Sequence, residues 1–265
     1  MPDDETRRRL RETFEEVPEL YERARPTYPP ALFDDLVVLA GLRRGARLLE
    51  IGCGTGIATA ELAERGFEIV CVELGAGLAA VARRRLAAHA SVEIVNAVFE
   101  EWEPPRAEFD AVVAFTAFHW IDPDARYAKT ARLLAPGGAL AVVDTRHVLL
   151  PGGDRFWVDV QDDYDAVVPD PDNSPPPRPE DVPHLADEIS ASGLFVNVGL
   201  RRHVWDVTYT AGGYLDVLDT YSGHRSMPGP TRESLYERIR RRLETRNAGE
   251  VTKTYLATLN VARRL

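Results

Sequence analysis

Three glycines and two acids form the first chemical pattern in this chain. Glu50, Gly52, Gly54 and Gly56 lie within LLEIGCGTGIAT (48–59), and Glu73 closes the next apolar run. Glycines at such a bend let the backbone turn tightly and let a ligand come close to it. An acid about twenty residues further on can accept hydrogen bonds from both hydroxyls of a ribose. The dinucleotide fingerprint Gly-x-Gly-x-x-Gly fails here, because its last glycine would fall at Ile57. The loop also carries no basic side chain for a pyrophosphate, and Glu50 precedes it. A nucleoside bearing a positively charged group suits that acid better. Any single glycine reads as a plain turn; the triplet with both acids points to a cofactor site.

Residues that meet at one edge need strands that end there. Apolar runs recur at 47–51, 68–72, 92–95, 110–115 and 139–143, with helical patterns over 55–65, 76–88 and 123–134 between them. Continuously apolar strands alternating with amphipathic helices predict a doubly wound α/β fold, its parallel sheet covered on both faces. Upstream, two helical patterns in 14–42 are broken by RPTYPP (25–30), and the second stops at Gly41. The first twelve residues are charged and predict a frayed or exposed helix. Seven of the 19 prolines fall in 169–183, which predicts a loop or lid-like insertion. A helix over 181–191, an alternating run over 195–209, helices over 210–227 and 231–246, and a last strand over 250–263 complete the chain.

Composition narrows the partners. With 32 Lys+Arg against 42 Asp+Glu the formal charge is −10, so no global field favours a polyanion and nucleic acid is not expected. No apolar stretch is long enough to span a bilayer, and the N-terminus lacks the apolar core of a secretory signal. Two cysteines do not make a disulfide framework, which points to a reducing, cytoplasmic setting. Cys53 and Cys71 read as small buried residues on neighbouring strands. No His/Cys cluster has metal-ligand spacing, so no metal is expected. The arginines at 238, 240, 241 and 242 alternate with Leu235, Ile239 and Leu243 as a solvated amphipathic face.

The glycine loop with Glu50 and Glu73 resembles the class I S-adenosylmethionine-dependent methyltransferases. The resemblance continues in FDAVVA (109–114) and LLAPGGALAV (133–142), so that residues 45–145 form the expected cofactor core. YERARPTYP (21–29), FEEW (99–102), AFHWIDP (117–123) and TYSGH (220–224) are similar to a narrower subgroup, the type-11 and trans-aconitate-type small-molecule methyltransferases. The family implies a Rossmann-like seven-stranded sheet, mostly parallel with an antiparallel last strand, and a helical cap. It implies one domain: a cap segment over 1–44, the core, and an insertion, cap helices and two last strands over 146–265. NPPY-type and ProCys motifs do not follow the fourth strand, which argues against base-nitrogen, glutamine-amide and cytosine-carbon methylation.

Carried onto this chain, the resemblance assigns Glu50, Gly52, Cys53, Gly54 and Gly56 to the methionine end of S-adenosylmethionine. Glu73 and Leu74 fall to the ribose, and Asn96, Ala97, Val98 and Phe99 to the adenine edge. Many relatives place Asp near the adenine amine, where this chain reads NAVF; which of its four residues meets the amine stays open. Phe115 and Thr116 should face the sulfonium, and Tyr21 and Arg25 should close over the cofactor. Arg25 suits either the cofactor carboxylate or a substrate acid. Tyr28, Trp120, Tyr221, His224 and Arg225 are the candidate acceptor residues. His119 reads either as a general base or as a structural histidine beside Trp120. The expected reaction is methyl transfer to a small molecule, with a carboxylate or hydroxyl oxygen favoured. A methyltransferase acting on tRNA or protein, and a non-catalytic cofactor-binding protein, are the alternatives.

Overall fold

The computed structural model describes residues 16–106, 108–170, 173–246 and 248–265. Expectations for residues 1–15 lie outside the described residues. In chain order the elements begin with helices α1 (Pro18–Ala24) and α2 (Pro30–Ala40), then β1 (Arg47–Ile51), α3 (Ile57–Glu64), β2 (Glu68–Glu73), α4 (Ala76–Arg85) and β3 (Val92–Asn96). They continue with β4 (Phe109–Phe115), α5 (Pro123–Leu133), β5 (Leu134–Val148), α6 (Phe156–Asp159) and α7 (Gln161–Val167). Last come α8 (Ala186–Ala191), β6 (Phe195–Thr210), α9 (Ala211–Leu218), α10 (Ser222–Arg225), α11 (Gly229–Glu244) and β7 (Glu250–Arg264). Among the described residues the strands make one seven-stranded sheet in the order β3-β2-β1-β4-β5-β7-β6. It is mostly parallel, and its last strands run antiparallel, as expected. No helix of the described residues is long and apolar enough to cross a membrane.

The chain forms two compact units. The glycine-loop unit comprises Thr27–Thr145, Pro183–His203 and Ala257–Leu265. Its β1 and β4 are buried along nearly their whole length, and Leu49, Ile51, Val112, Ala114, Leu140 and Val142 pack with Phe109, Phe118 and Leu133 into its core. Burying one such large side chain contributes about 1.5–3 kcal/mol, which is why strands this short stay in place. Pro30 opens α2, and Gly41 closes it in the left-handed region with φ +60°. Parallel register aligns Glu50 of β1 with Cys71 of β2, and Glu73 with Asn96 of β3. Three candidate residues thereby reach the carboxyl ends of three adjacent strands, where open α/β sheets bind ligands.

The tyrosine unit comprises the described residues up to Pro26 together with Arg146–Val182 and Val204–Leu256. Its core gathers Phe156, Trp157 and Val160 with Tyr214, Leu215, Leu218, Leu235, Ile239 and Leu243. Helices α6 and α7 lie in a stretch for which periodicity predicted nothing. The helix expected over 210–227 divides into α9 and α10, because the buried Thr220 hydroxyl donates to the carbonyl of Val217 (2.6 Å) and ends the first piece. Strand β5 starts at Leu134 instead of 139, and its register with β4 shifts between Phe109 and Ala111. The described part of the Pro-rich segment is tied by a hydrogen bond from the Leu149 amide to the Pro177 carbonyl (2.9 Å).

Candidate active site

The glycine loop runs from the end of β1 to the start of α3. Gly52, Gly54 and Gly56 all take positive φ, +68°, +57° and +82°. At Gly52 a Cβ would stand 2.7 Å from the Cβ of Ala117, so both backbone angle and space demand glycine there. Glu73, at the end of β2, accepts hydrogen bonds from the Gly54 amide on one oxygen and the Gly75 amide on the other, both at 2.8 Å. The carboxylate is thus held in place at the end of β2 before any ligand arrives.

Glu50 is 1% exposed. Burial, partly offset by a hydrogen bond from Thr59 and reinforced by the charge of Glu73, pushes its carboxyl up to about 7. The Cys71 thiol is a weak donor to it at 3.9 Å. Glu50 is therefore an acid short of a positive partner. The buried hydroxyl of Thr55, inside the same loop, has no hydrogen-bond partner. Cys53 and Cys71 are free and buried, and their surroundings push both thiols up.

Asn96 directs its amide NH2 to the carbonyls of Glu73 (2.9 Å) and Leu74 (2.8 Å), which turns its oxygen into the available acceptor. Ala97 follows with its amide on the Glu73 carbonyl at 3.1 Å. Phe99 goes elsewhere: it is buried in the unit's core, with the Lys129 ammonium 5.4 Å from its ring centre. Phe115 stacks on Phe33 at 5.6 Å and meets Tyr28 at 5.2 Å. Thr116 lies in the left-handed region with φ +54°, a strained conformation for a β-branched residue that costs about 1–3 kcal/mol. Its amide is held by the Val143 carbonyl at 2.7 Å, and its hydroxyl meets Tyr28 Oη at 3.3 Å. His119 sits in the short turn Phe118–Trp120 with its ring 4.7 Å from Trp120.

The remaining candidates lie in the tyrosine unit. The Arg25 guanidinium covers the rings of Tyr21 (4.7 Å) and Tyr221 (4.3 Å) and donates to the hydroxyl and carbonyl of Thr220. Tyr221 Oη accepts from Lys253 Nζ at 2.9 Å. Burial raises the Tyr221 hydroxyl, but the charges of Lys253 and then Arg25 outweigh it and bring it down to about 8. His224 is hydrogen bonded to Tyr164 Oη at 2.9 Å; burial first, then Lys253 and Arg232, lower it to about 4. Arg225 is occupied by two acids, Glu16 and Asp219, and has little to offer a substrate anion. The sequence reading missed Lys253, although it shares the inward parity of Val251 and Tyr255 in β7. That parity was the available signal: a lysine on the buried face of an alternating strand.

Comparison with known proteins agrees with this geometry. Residues 48–138 match the family model of the methyltransferase domain. An uncharacterized methyltransferase of Mycobacterium tuberculosis is 29% identical over 244 residues, spanning 92% of this chain and 90% of that protein. A solved structure from Anaeromyxobacter dehalogenans, provisionally described as a type II methyltransferase, shares 24% identity with a TM-score of 0.64 and covers 90% of this chain and 97% of its own. A Haemonchus contortus phosphoethanolamine N-methyltransferase, solved with phosphomonomethylethanolamine and S-adenosylhomocysteine, shares 16% identity with a TM-score of 0.52, covering 95% of this chain and 59% of its own. The two structures speak for the fold alone. The domain match and the relatives support an S-adenosylmethionine-dependent methyltransferase. The class implies S-adenosylmethionine as methyl donor. The residues present suit that donor, since the buried Glu50 carboxyl has no cation beside it, Glu73 is fixed at the carboxyl end of β2, and the buried Thr55 hydroxyl has no partner.

Proposed function

We propose that this protein transfers a methyl group from S-adenosylmethionine to an oxygen of a small molecule, a carboxylate or hydroxyl, in the manner of the type-11 and trans-aconitate-type enzymes. The observation that carries the cofactor half is Glu50, a 1% exposed acid that burial pushes up to about 7 and that has no ion-pair partner among the described residues. When bound, the cofactor supplies an already activated methyl on a positively charged sulfur. The chain's own residues then bind and align. In this reading Glu50 and the loop from Gly52 to Gly56 hold the methionine end, with Glu73 and Leu74 on the ribose. Asn96 offers its oxygen to the adenine amine, and Phe115 and Thr116 close the end of β4. Holding an acceptor oxygen in line could supply up to about 7–11 kcal/mol of the barrier through proximity. A carboxylate acceptor is deprotonated at neutral pH and needs no base; His119 is required only for a hydroxyl acceptor.

A small acceptor is favoured over RNA by the arginine run itself. Arg238 and Arg242 are paired with Asp163, and Arg240 and Arg241 with Glu237. Those charges are spent within the protein and do not form a free basic stripe. The reading places the enzyme in the cytoplasm. The test is a thermal-shift comparison of S-adenosylhomocysteine, NAD and buffer, on the native protein and Glu73→Ala. S-adenosylhomocysteine alone should raise the melting temperature, and Glu73→Ala should abolish the rise. A rise with NAD, or an unaffected variant, would overturn the assignment.

A further inference from the structure

Of the three buried basic side chains among the described residues, two find an acid, Arg126 and Lys129. Arg126 pairs with Glu188, Lys129 with Glu103, Arg225 with Glu16 and Asp219, Arg242 with Asp163, and Arg246 with Asp154. Lys253 is the exception. It is 4% exposed, its polar partner is the Tyr221 hydroxyl, and among the described residues no carboxylate lies within ion-pair distance of it. Aromatic rings surround it instead: Tyr221 and Tyr255 at 4.9 and 5.1 Å, Trp157 and Tyr214 at 5.9 Å. Ring faces attract a cation but do not neutralise it, and burying a net charge without an opposite one is costly.

A second cation points at the same ring. Arg25 stands 4.3 Å from the centre of Tyr221; its Nε and one Nη go to Thr220, and it too has no carboxylate partner among the described residues. Tyr221 is therefore bracketed by two positive charges. Burial first, and then the charge of Lys253, keep His147 and His224 neutral, and the Nε2 of His147 is buried without a hydrogen-bond partner. The local field is positive, inside a chain whose net charge is −10.

From this cluster we infer that Lys253, Tyr221 and Arg25 form a receptor for the carboxylate of a small molecule. The inference goes beyond the cofactor reading and stands on the geometry of this unit alone. A carboxylate supplies the missing negative charge, takes the Lys253 ammonium and the free Nη of Arg25 as donors, and accepts from the Tyr221 hydroxyl. One negative charge suffices for Lys253. The surrounding rings favour an apolar body behind the carboxylate.

Titration calorimetry tests the assignment at fixed ionic strength, with acetate and benzoate as probes and benzamide as the neutral isostere of benzoate. Benzoate should bind at least tenfold more tightly than benzamide, and Lys253→Met should bring the two together. Lys253→Met removes a buried uncompensated charge, so it should melt no lower than the native protein. Tyr221→Phe, which keeps the ring, should weaken benzoate and leave benzamide unchanged. S-adenosylhomocysteine should bind Lys253→Met within twofold of the native protein. If its affinity falls with that of benzoate, the anion held is the cofactor's own carboxylate and the inference is wrong. Equal binding of benzoate and benzamide to the native protein, or no Lys253-dependent response to either carboxylate, also overturns it. A second readout is phenolate absorbance. Arg25, Lys253, Tyr209, Tyr214, Tyr255, Tyr164, His147 and His224 face Tyr221 or its lysine, and the four neighbouring tyrosines are all pushed upward. The ionisation near pH 8 should vanish in Tyr221→Phe and move upward when benzoate is present. A phenolate fully formed at pH 7 would mean that Tyr221 itself neutralises Lys253 and that no ligand is needed. Failure of S-adenosylhomocysteine to bind the native protein sinks the cofactor reading separately, since the carboxylate arm needs no turnover.

Discussion

Replacing Glu50 by Gln separates stability from cofactor binding in a measurable way. In the folded protein the carboxyl is raised from 4.5 to about 7, and burial is the main cause. A pKa raised on folding means the folded chain binds more protons than the unfolded chain between those values. The favourable contribution is then complete below pH 4.5 and is lost as pH rises through about 7. At about 1.4 kcal/mol per unit, the charged form costs up to about 3 kcal/mol above neutrality. Glutamine keeps the shape and carries no charge, so it escapes that cost. Glu50→Gln should therefore exceed the native protein in stability by up to about 3 kcal/mol at pH 8, and the advantage should shrink towards pH 5. It should also lose at least about tenfold in affinity for S-adenosylmethionine, worth 1.4 kcal/mol, because the acid that faces the positive end is gone. Urea unfolding followed by tryptophan fluorescence at pH 5, 6.5 and 8, each with and without the cofactor, reads both quantities. Comparing variant with native protein at each pH cancels the other titrating groups. A variant no more stable than native at pH 8, or one that binds the cofactor unchanged, refutes the reasoning.

Other perturbations follow from the same geometry. Gly52→Ala should destabilise by more than about 1 kcal/mol in thermal unfolding and abolish S-adenosylhomocysteine binding, since the residue combines φ +68° with a neighbour 2.7 Å from the added carbon. Asp163→Asn, which leaves the partly exposed Arg242 and Arg238 without their shared acid, should cost about 1–2 kcal/mol in urea unfolding. His224 is lowered from 6.5 to about 4, so the folded chain binds fewer protons than the unfolded one between those values. Its contribution is intact above pH 6.5 and is lost as pH falls towards 4, by up to about 3 kcal/mol. His224→Gln should flatten that acid limb of the stability curve, and an unchanged limb would count against the burial of a neutral ring.

The glycine loop was legible because its geometry is local. Gly52, Gly54 and Gly56 announce their positive φ by their residue type, and Glu50 and Glu73 end consecutive strands whose register follows from the parallel pattern. Phe99 was harder. A short stretch after β3 can send a side chain outward or into the core, and only packing against Lys129 and its neighbours decides. Arg225 looked like a free basic residue near a histidine, yet its acids are Asp219, in the preceding turn, and Glu16, which is remote in sequence. The tyrosine cluster draws on β5, β6, β7 and helices α1, α6, α7, α9 and α10, so no window of sequence contains it. Its legible trace was the odd-numbered parity of β7.

That parity has an evolutionary consequence. Strand β7 supplies Val251, Lys253 and Tyr255 to one unit and Leu259 and Val261 to the other, while Thr252 and Thr254 bond to Thr208 and Asp206 on β6. Inserting or deleting a single residue between them would reverse the facing of every side chain on one side of the change. Such a lineage would lose either the lysine or the core below it. Descendants of this chain can thus change what they recognise at position 253 by point substitution, but not by indels in that strand. Length variation among relatives should accumulate in the loop before β7 and in the Pro-rich segment, while the spacing from Lys253 to Val261 stays constant.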